Sequence, residues 1–283
     1  MIYLSIDGGG SGSRARLVGE DGDLLAELQG GPANAYRDPE GAHRTVLELA
    51  RRALHEAHRP ESAFRELRAG IGLAGAGRPR ERLRFESLGL PFPYRLVSDA
   101  ELAQRGAFRG GPGTVLLAGT GTIAWSRDET GRERRAGGYG FPLADEGGGA
   151  WLGLRAVRLT LEALEEGGSL EPLTQAIEER LGGIESILAW AEQARPADYA
   201  ALAPLVLHTG KTSPLAKQLL QEAGAHLERL VRSVDPELRL PVAFLGGLAD
   251  GLRPYLSPSL QARLVEPLGD ALEGGLQLAR SLP

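Results

Sequence analysis

The chain has no cysteine in its 283 residues. This absence removes disulfides, thiolate metal sites, iron–sulfur clusters and thiol nucleophiles together, and it fits a reducing compartment. Lysine is nearly missing as well. It stands only at Lys211 and Lys217, so almost all basic charge is arginine, and Asn34 is the only asparagine. Such avoidance suits a GC-rich genome, a hot habitat, or both. No stretch approaches the length of a transmembrane helix. The opening MIYLSIDGGG lacks the charged region and the longer apolar core of a signal peptide. A formal net charge of -5 gives no broad attraction for nucleic acid or for an anionic membrane. The expectation is a cytoplasmic globular protein with neither partner. An anionic substrate would have to be held locally, by backbone N–H donors, a metal or a few arginines.

Apolar residues make up 42% of the chain, enough for a sizeable core in one large domain or two medium ones. Three strands are expected first, Ile2 to Ile6, Arg14 to Val18 and Leu24 to Leu28, joined by Asp7–Ser13 and by Glu20-Asp21-Gly22-Asp23. A helix follows from Pro39 to His58, with Ala42, Val46, Ala50, Ala53 and Ala57 on one face. Leu67 to Leu73 reads as a strand, Arg80 to Leu88 as a short helix, Tyr94 to Val97 as a strand and Ala100 to Phe108 as a helix. After Gly110-Gly111-Pro112-Gly113 the pattern restarts. Thr114 to Leu117 and Ile123 to Ser126 read as strands around Ala118-Gly119-Thr120-Gly121-Thr122. The repeat of strand, small-residue turn, strand and acidic-glycine turn suggests an internal duplication. Helical patterns dominate from Leu154 to Val234, with breaks at Gly167-Gly168, Gly182-Gly183, Pro196 and Pro214. A strand from Val242 to Leu245 then meets Gly246-Gly247, and a last helix runs from Asp270 to Arg280. Residues 1–110 should form one α/β domain and 111–269 a second, with a helical insertion and a shared cleft.

Asp7-Gly8-Gly9-Gly10-Ser11-Gly12-Ser13 is the strongest single feature. Glycines let the backbone turn sharply and bring N–H groups close to an anion. Ser11 and Ser13 add hydroxyls. Asp7 ends a strand, and a carboxylate beside phosphate makes sense only with a cation between them, for which Mg2+ is the natural candidate. The other reading is an ordinary glycine-rich hairpin. It is no Walker loop, because the lysine is missing and no helix follows, and no Rossmann fingerprint, because a hairpin follows. Gly119-Thr120-Gly121-Thr122 is the matching turn in the second half.

These residues resemble the ATPase core of the actin/hexokinase/Hsp70 superfamily. Asp7 to Ser13 is similar to its first phosphate loop, Gly119 to Thr122 to the second, and Gly246-Gly247-Leu248 to the adenosine loop. The fold so implied is α/β, with two ribonuclease H-like domains around a nucleotide and sugar cleft. Further stretches resemble the N-acetylglucosamine and glucosamine kinase group of the BadF/BadG-type ATPases. They are Ala33-Asn34-Ala35, Gly72 to Gly77, Val97-Ser98-Asp99-Ala100, and Gly137-Gly138-Tyr139-Gly140 through Asp145-Glu146-Gly147. The resemblance implies a kinase that uses ATP and Mg2+ on an amino sugar, works as a homodimer, and packs its last helix back on the first domain.

Each role carries over by position. Asp99 matches the catalytic base, which takes the proton of the attacking hydroxyl. On residues alone, Ser98-Asp99 is also a favourable helix cap. Asn34, Ala74, Gly138, Tyr139, Asp145 and Glu146 match sugar-contacting positions. Asn34 could equally be a turn residue beside Pro32, and Asp145-Glu146 could cap the next helix. The sequence departs from the pattern at Tyr139, where the family has Trp, at Ala144 for Gly, at Gly148 for Ser, and at Ala74, where some members carry Ser. The departures lie near the sugar. They leave open N-acetylglucosamine, glucosamine and N-acetylmuramate. His43, His55 and His58 lack a metal-like constellation, and Arg132-Glu133-Arg134-Arg135 reads as a solvated turn. A reductase-activating ATPase of the same family would need a cysteine-held cluster that this chain cannot build.

Overall fold

The computed structural model describes residues 1–167 and 169–283. Gly168, half of the predicted Gly167-Gly168 break, lies outside them. In chain order, β1 (Ile2–Gly8), β2 (Ser13–Gly19) and β3 (Leu24–Gly30) form a meander. Helix α1 (Pro39–Glu56) starts where Asp38 accepts the Gly41 N–H at 2.8 Å and Pro39 presets the first turn. Then come β4 (Leu67–Leu73), α2 (Pro79–Glu86), β5 (Tyr94–Ser98) and α3 (Asp99–Ala107). The second meander is β6 (Gly113–Ala118), β7 (Thr122–Arg127) and β8 (Glu133–Gly137). The helices α4 (Gly149–Glu166), α5 (Pro172–Leu181), α6 (Ile184–Ala191), α7 (Pro196–Ala200), α8 (Ala203–Thr209) and α9 (Pro214–Val234) follow. The chain ends with β9 (Val242–Leu245), α10 (Ala249–Leu252), α11 (Pro258–Gln261) and α12 (Ala271–Arg280).

The chain divides into two compact units. Unit 1 is Met1–Gly113 with Arg127–Gly131 and Glu266–Pro283; unit 2 is Thr114–Ser126 with Arg132–Val265. The sheet of unit 1 has the order β3-β2-β1-β4-β5. Strands β1, β4 and β5, which end this order, run parallel, with Gly8 opposite Leu73 and Leu73 opposite Ser98. The three therefore end flush. The sheet of unit 2 has the order β8-β7-β6-β9, with β9 parallel to β6. A meander followed by a parallel strand beside its first member occurs in both, as the repeat in the sequence suggested.

Each unit buries its own core. In unit 1 Ile2, Leu4, Ile6, Leu67, Ile71 and Leu96 pack with Val46, Leu49 and Leu54 of α1. In unit 2 Leu152 and Ala156 of α4 meet Leu219, Leu220, Ala223 and Leu227 of α9. α12 lies against β1, β4 and α3. It comes unusually near the sheet because glycine faces glycine. A Cβ on Gly70 would stand 2.0 Å from the Gly275 carbonyl oxygen, and one on Gly275 would stand 2.0 Å from Ser5 Oγ. Arg16 ties the same helix down through Asp270 at 3.0 Å and Glu273 at 3.1 Å.

The structure corrects the sequence reading at Arg132–Arg135. Only Arg132 precedes the strand; Glu133, Arg134 and Arg135 are no solvated turn but the first three residues of β8. Asp128 closes the preceding turn by accepting from the Thr130 N–H at 2.9 Å and the Thr130 hydroxyl at 2.6 Å, which feeds the chain back along β7. β8 is an edge strand, and charged side chains are tolerated at a sheet edge.

Gly275→Ala tests the helix–sheet contact. Its new methyl meets β1 and β4, so the expected loss is about 2–3 kcal/mol, read as a lower urea midpoint. An unchanged midpoint would show that α12 can retreat at no cost.

Candidate active site

The predicted site residues fall into two groups, one in each unit. In unit 1 they gather at the carboxyl edge of the parallel strands, where ligands of open α/β sheets bind. The Gly9 N–H donates to the Gly12 carbonyl at 2.9 Å, which closes the first hairpin. The Ala74 N–H donates to the Gly8 carbonyl at 2.8 Å, and the Ala74 carbonyl accepts from the Ala35 N–H at 2.9 Å. Ala74 is thus pinned between the hairpin and the loop that carries Asn34, and Asn34 bridges to it in parallel. Asn34 Oδ1 accepts from the N–H groups of Tyr36 at 3.0 Å and Arg37 at 3.1 Å. Asn34 is therefore the turn residue that its neighbours suggested. Its Nδ2 lies beside Gly10, 3.8 Å from where a Cβ would stand there, and can donate to a ligand.

Asp99 is the first residue of α3. The capping role belongs to Ser98, whose Oγ accepts the Glu101 N–H at 3.1 Å. Asp99 is half-buried, and its Oδ1 accepts from the Ala100 N–H at 2.9 Å. Because β5 ends flush with β4 and β1, Asp99, Ala74 and Gly9 follow neighbouring strand ends.

Two of the expected hydroxyl contacts are redirected. Ser13 is buried, and its hydroxyl donates to the Gly31 carbonyl at 2.7 Å. Thr122 is also buried and donates to the Glu146 carbonyl at 3.1 Å. Each opens the second strand of its hairpin, and each braces the loop behind it. The exposed hydroxyls at the hairpin tips are those of Ser11 and Thr120.

In unit 2 the second hairpin closes by Gly119 N–H to Gly121 carbonyl at 3.0 Å. The Gly149 and Ala150 N–H groups that open α4 donate to the Gly119 and Thr120 carbonyls at 2.8 and 3.0 Å. This satisfies helix-end donors without a side-chain cap, so Asp145 and Glu146 do not cap α4. The N-cap is Gly148. A side chain there would press on Gly121 Cα and the Thr120 carbonyl, each 2.9 Å from the added Cβ, which accounts for glycine where the family pattern has serine. The adenosine-loop candidates join this group, since the Leu248 N–H donates to the Ala118 carbonyl at 3.1 Å, one residue before Gly119.

Asp145 has the most unusual environment. It adopts a left-handed backbone, φ 73°, and its carboxylate rests against Gly121, where a Cβ would meet Oδ2 at 2.2 Å. Its Oδ1 is buried and accepts no hydrogen bond within the described residues. Burial pushes its pKa up. The N–H groups of Thr122, Gly140 and Phe141 pull it down, and the Glu146 charge adds a smaller upward push. Glu146 itself is exposed. Gly138 donates to the Thr122 carbonyl at 2.9 Å, and Tyr139 is 64% exposed. The loop from Gly138 to Glu146 is thereby tied to the second hairpin at both ends.

Asp7 Oδ2 accepts from Arg14 Nη2 at 2.8 Å. The sequence reading missed Arg14, although hairpin pairing of Gly8 with Ser13 sets it opposite Asp7. Asp7 Oδ1 accepts no hydrogen bond within the described residues, and it can meet a hydrated cation beside the glycine turn. Among the described residues no group of three or more acidic or histidine side chains is arranged to hold a metal ion. The donor set therefore fits Mg2+ carried in by phosphate oxygens, not one caged by protein. No described helix is long and apolar enough to cross a membrane.

Comparison with known proteins follows the same lines. Residues 4–261 match the BadF/BadG/BcrA/BcrD ATPase family model. The glucosamine kinase GspK of Vibrio cholerae is 31% identical over 280 residues, spanning 98% of this chain and 95% of that protein. A solved structure from Chromobacterium violaceum, provisionally described as an N-acetylglucosamine kinase, is 38% identical with a TM-score of 0.93 and covers 98% of both chains. A ROK family glucokinase from Streptomyces griseus, solved with glucose and AMPPNP, is 18% identical with a TM-score of 0.56 over both full chains, a likeness of fold alone.

Asp145→Asn tests the stored strain. A raised folded-state pKa means that ionising Asp145 costs stability; the cost is absent below the unfolded pKa and grows as pH rises through the folded one. The amide variant cannot ionise. Its melting temperature relative to the parent should therefore rise as pH climbs above about 4, the ordinary carboxyl range. A gap that shrinks over that climb contradicts the burial argument.

Proposed function

The chain belongs to the BadF/BadG/BcrA/BcrD ATPase family and has the actin/hexokinase-like ATPase fold, and on that premise we propose that it is an ATP-dependent kinase of amino sugars. The acceptor in this reading is the 6-hydroxyl of N-acetylglucosamine, with glucosamine and N-acetylmuramate as the alternative substrates. One observation carries the proposal: the flush ends of β1, β4 and β5, which set the phosphate-type hairpin, the Asn34–Ala74 bridge and Asp99 on a single sheet edge.

The roles follow from the groups present. In unit 1 Asn34 Nδ2 is the donor for a sugar hydroxyl, and in unit 2 the carboxylates of Asp145 and Glu146 are the acceptors for sugar hydroxyls. Asp99 takes the proton of the attacking hydroxyl as its oxygen bonds to the γ-phosphorus and the bond to ADP breaks. The free N–H groups and the Ser11 and Thr120 hydroxyls of the two hairpin turns stabilise charge on the phosphoryl oxygens. Gly246, Gly247 and Leu248 receive the adenosine. Asp7 would hold Mg2+, and the cation, when bound, would neutralise phosphate charge. The family resemblance carries with it a cytoplasmic homodimer as the working form.

Sugar-dependent ADP release is the direct test. Turnover should need an amino sugar, with ATP hydrolysis near background in its absence. Asp99→Ala should lower kcat by at least about a hundredfold while ADP affinity by calorimetry stays within about twofold, since the base touches the acceptor and not the nucleotide. Full sugar phosphorylation by that variant removes Asp99 from the mechanism. ADP release indifferent to every amino sugar removes the kinase.

A further inference from the structure

Asp7 and Arg14 are directly opposed across the first hairpin, Arg14 Nη2 donating to Asp7 Oδ2 at 2.8 Å. On its other side Asp7 faces Gly72, which has no side chain. Arg14 is therefore the one cross-strand group that can reach this carboxylate from β2 or β4. The next arginine on the same strand face differs. Arg16 is held by Glu27, Asp270 and Glu273, and it fastens α12 to the sheet. Within the described residues Arg14 has Asp7 as its sole ion-pair partner, and it anchors no other element. Its side chain is 47% exposed against 22% for Asp7, so the guanidinium can swing into solvent on its flexible stem.

We infer that Arg14 is the resident counter-ion of Asp7 and competes with the nucleotide-borne divalent cation for that carboxylate. The inference rests on the reading that Asp7 serves the cation, and adds to it a residue that limits how tightly the cation is held. Two effects act in one direction. Mg2+ near Asp7 must displace or share the Arg14 hydrogen bond, and a guanidinium repels a divalent ion. Without metal, the same positive charge beside the glycine turn attracts bare phosphate. Arg14 thus favours metal-free nucleotide and disfavours the metal complex, which lowers the coupling between the two ligands. Because the pair is exposed, the effect is modest, about twofold to fivefold in an equilibrium constant.

The readout is a ratio: the ADP dissociation constant in EDTA divided by that in saturating Mg2+, both from calorimetry on the full chain. Metal–nucleotide association in solution is common to all variants and cancels on comparison. Arg14→Gln should raise the ratio about threefold or more, Arg14→Lys should leave it near the parent value because the charge stays, and Asp7→Asn should lower it. A merely structural role for Arg14 would make Gln and Lys behave alike, and that result overturns the inference. So does an unchanged or lowered ratio in Arg14→Gln while Asp7→Asn still lowers it, a pattern that leaves the metal role of Asp7 standing. If Asp7→Asn also keeps the parent ratio, Asp7 serves no cation, and both readings fall together.

Discussion

Parallel strands that pair in register finish at the same level, and whatever follows them must share one edge. In unit 1 this constraint fixes everything of chemical interest. Gly8, Leu73 and Ser98 lie in one row across β1, β4 and β5. The residues just past them are Gly9, Ala74 and Asp99, and the Asn34 loop is tied to the middle one. A slip of one residue in β5 would turn Asp99 and the start of α3 to the wrong face. The register is in turn protected by the close seat of α12. Its glycines leave no slack against β1 and β4, and Arg16 holds its first turn.

The two units use the same device twice. Each has a meander whose first hairpin turns on glycines, and each buries a hydroxyl residue at the start of the second strand. Ser13 and Thr122 brace the loops behind their turns, and the turns close through the Gly9 and Gly119 N–H groups alone, which leaves those at the tips to face a ligand. A phosphate cradle needs this division of labour. The backbone donors must be held in place without being satisfied. In unit 2 the brace reaches further, because the loop with Asp145 and Glu146 lies against the hairpin and supplies the start of α4. Strain is concentrated there, in a left-handed Asp145 with a buried and unpartnered oxygen. A buried acceptor of that kind is suited to a ligand hydroxyl donor.

Much of this was legible in the residues. Glycine clusters between short apolar runs marked both hairpins, and the element type was right for the first strands, for the helix opened by Asp38 and Pro39, and for the strand that ends at Ser98. Local propensity decides such features. What escaped was decided by partners distant in the chain. β8 reads as a charged turn because ERRAG has little strand propensity, and only pairing along β7 makes it a strand. The hydroxyls of Ser13 and Thr122 looked like ligand donors because Gly31 and Glu146 cannot be seen from the turns themselves. Arg14 was hidden by register, and the Gly70–Gly275 contact by some two hundred residues of separation. Gly148 looked like a departure near the sugar, whereas it is set by the backbone of Gly121 and Thr120.

The account stands on glycine-hairpin amides that are held ready for phosphate. Amide hydrogen exchange with and without MgADP reads them directly. The prediction is slowed exchange confined to peptides spanning Gly9–Gly12, Gly119–Gly121 and Gly246–Leu248, with an amino sugar adding protection around Asn34 and Ala74. Unaltered exchange at both hairpins under saturating MgADP would contradict it.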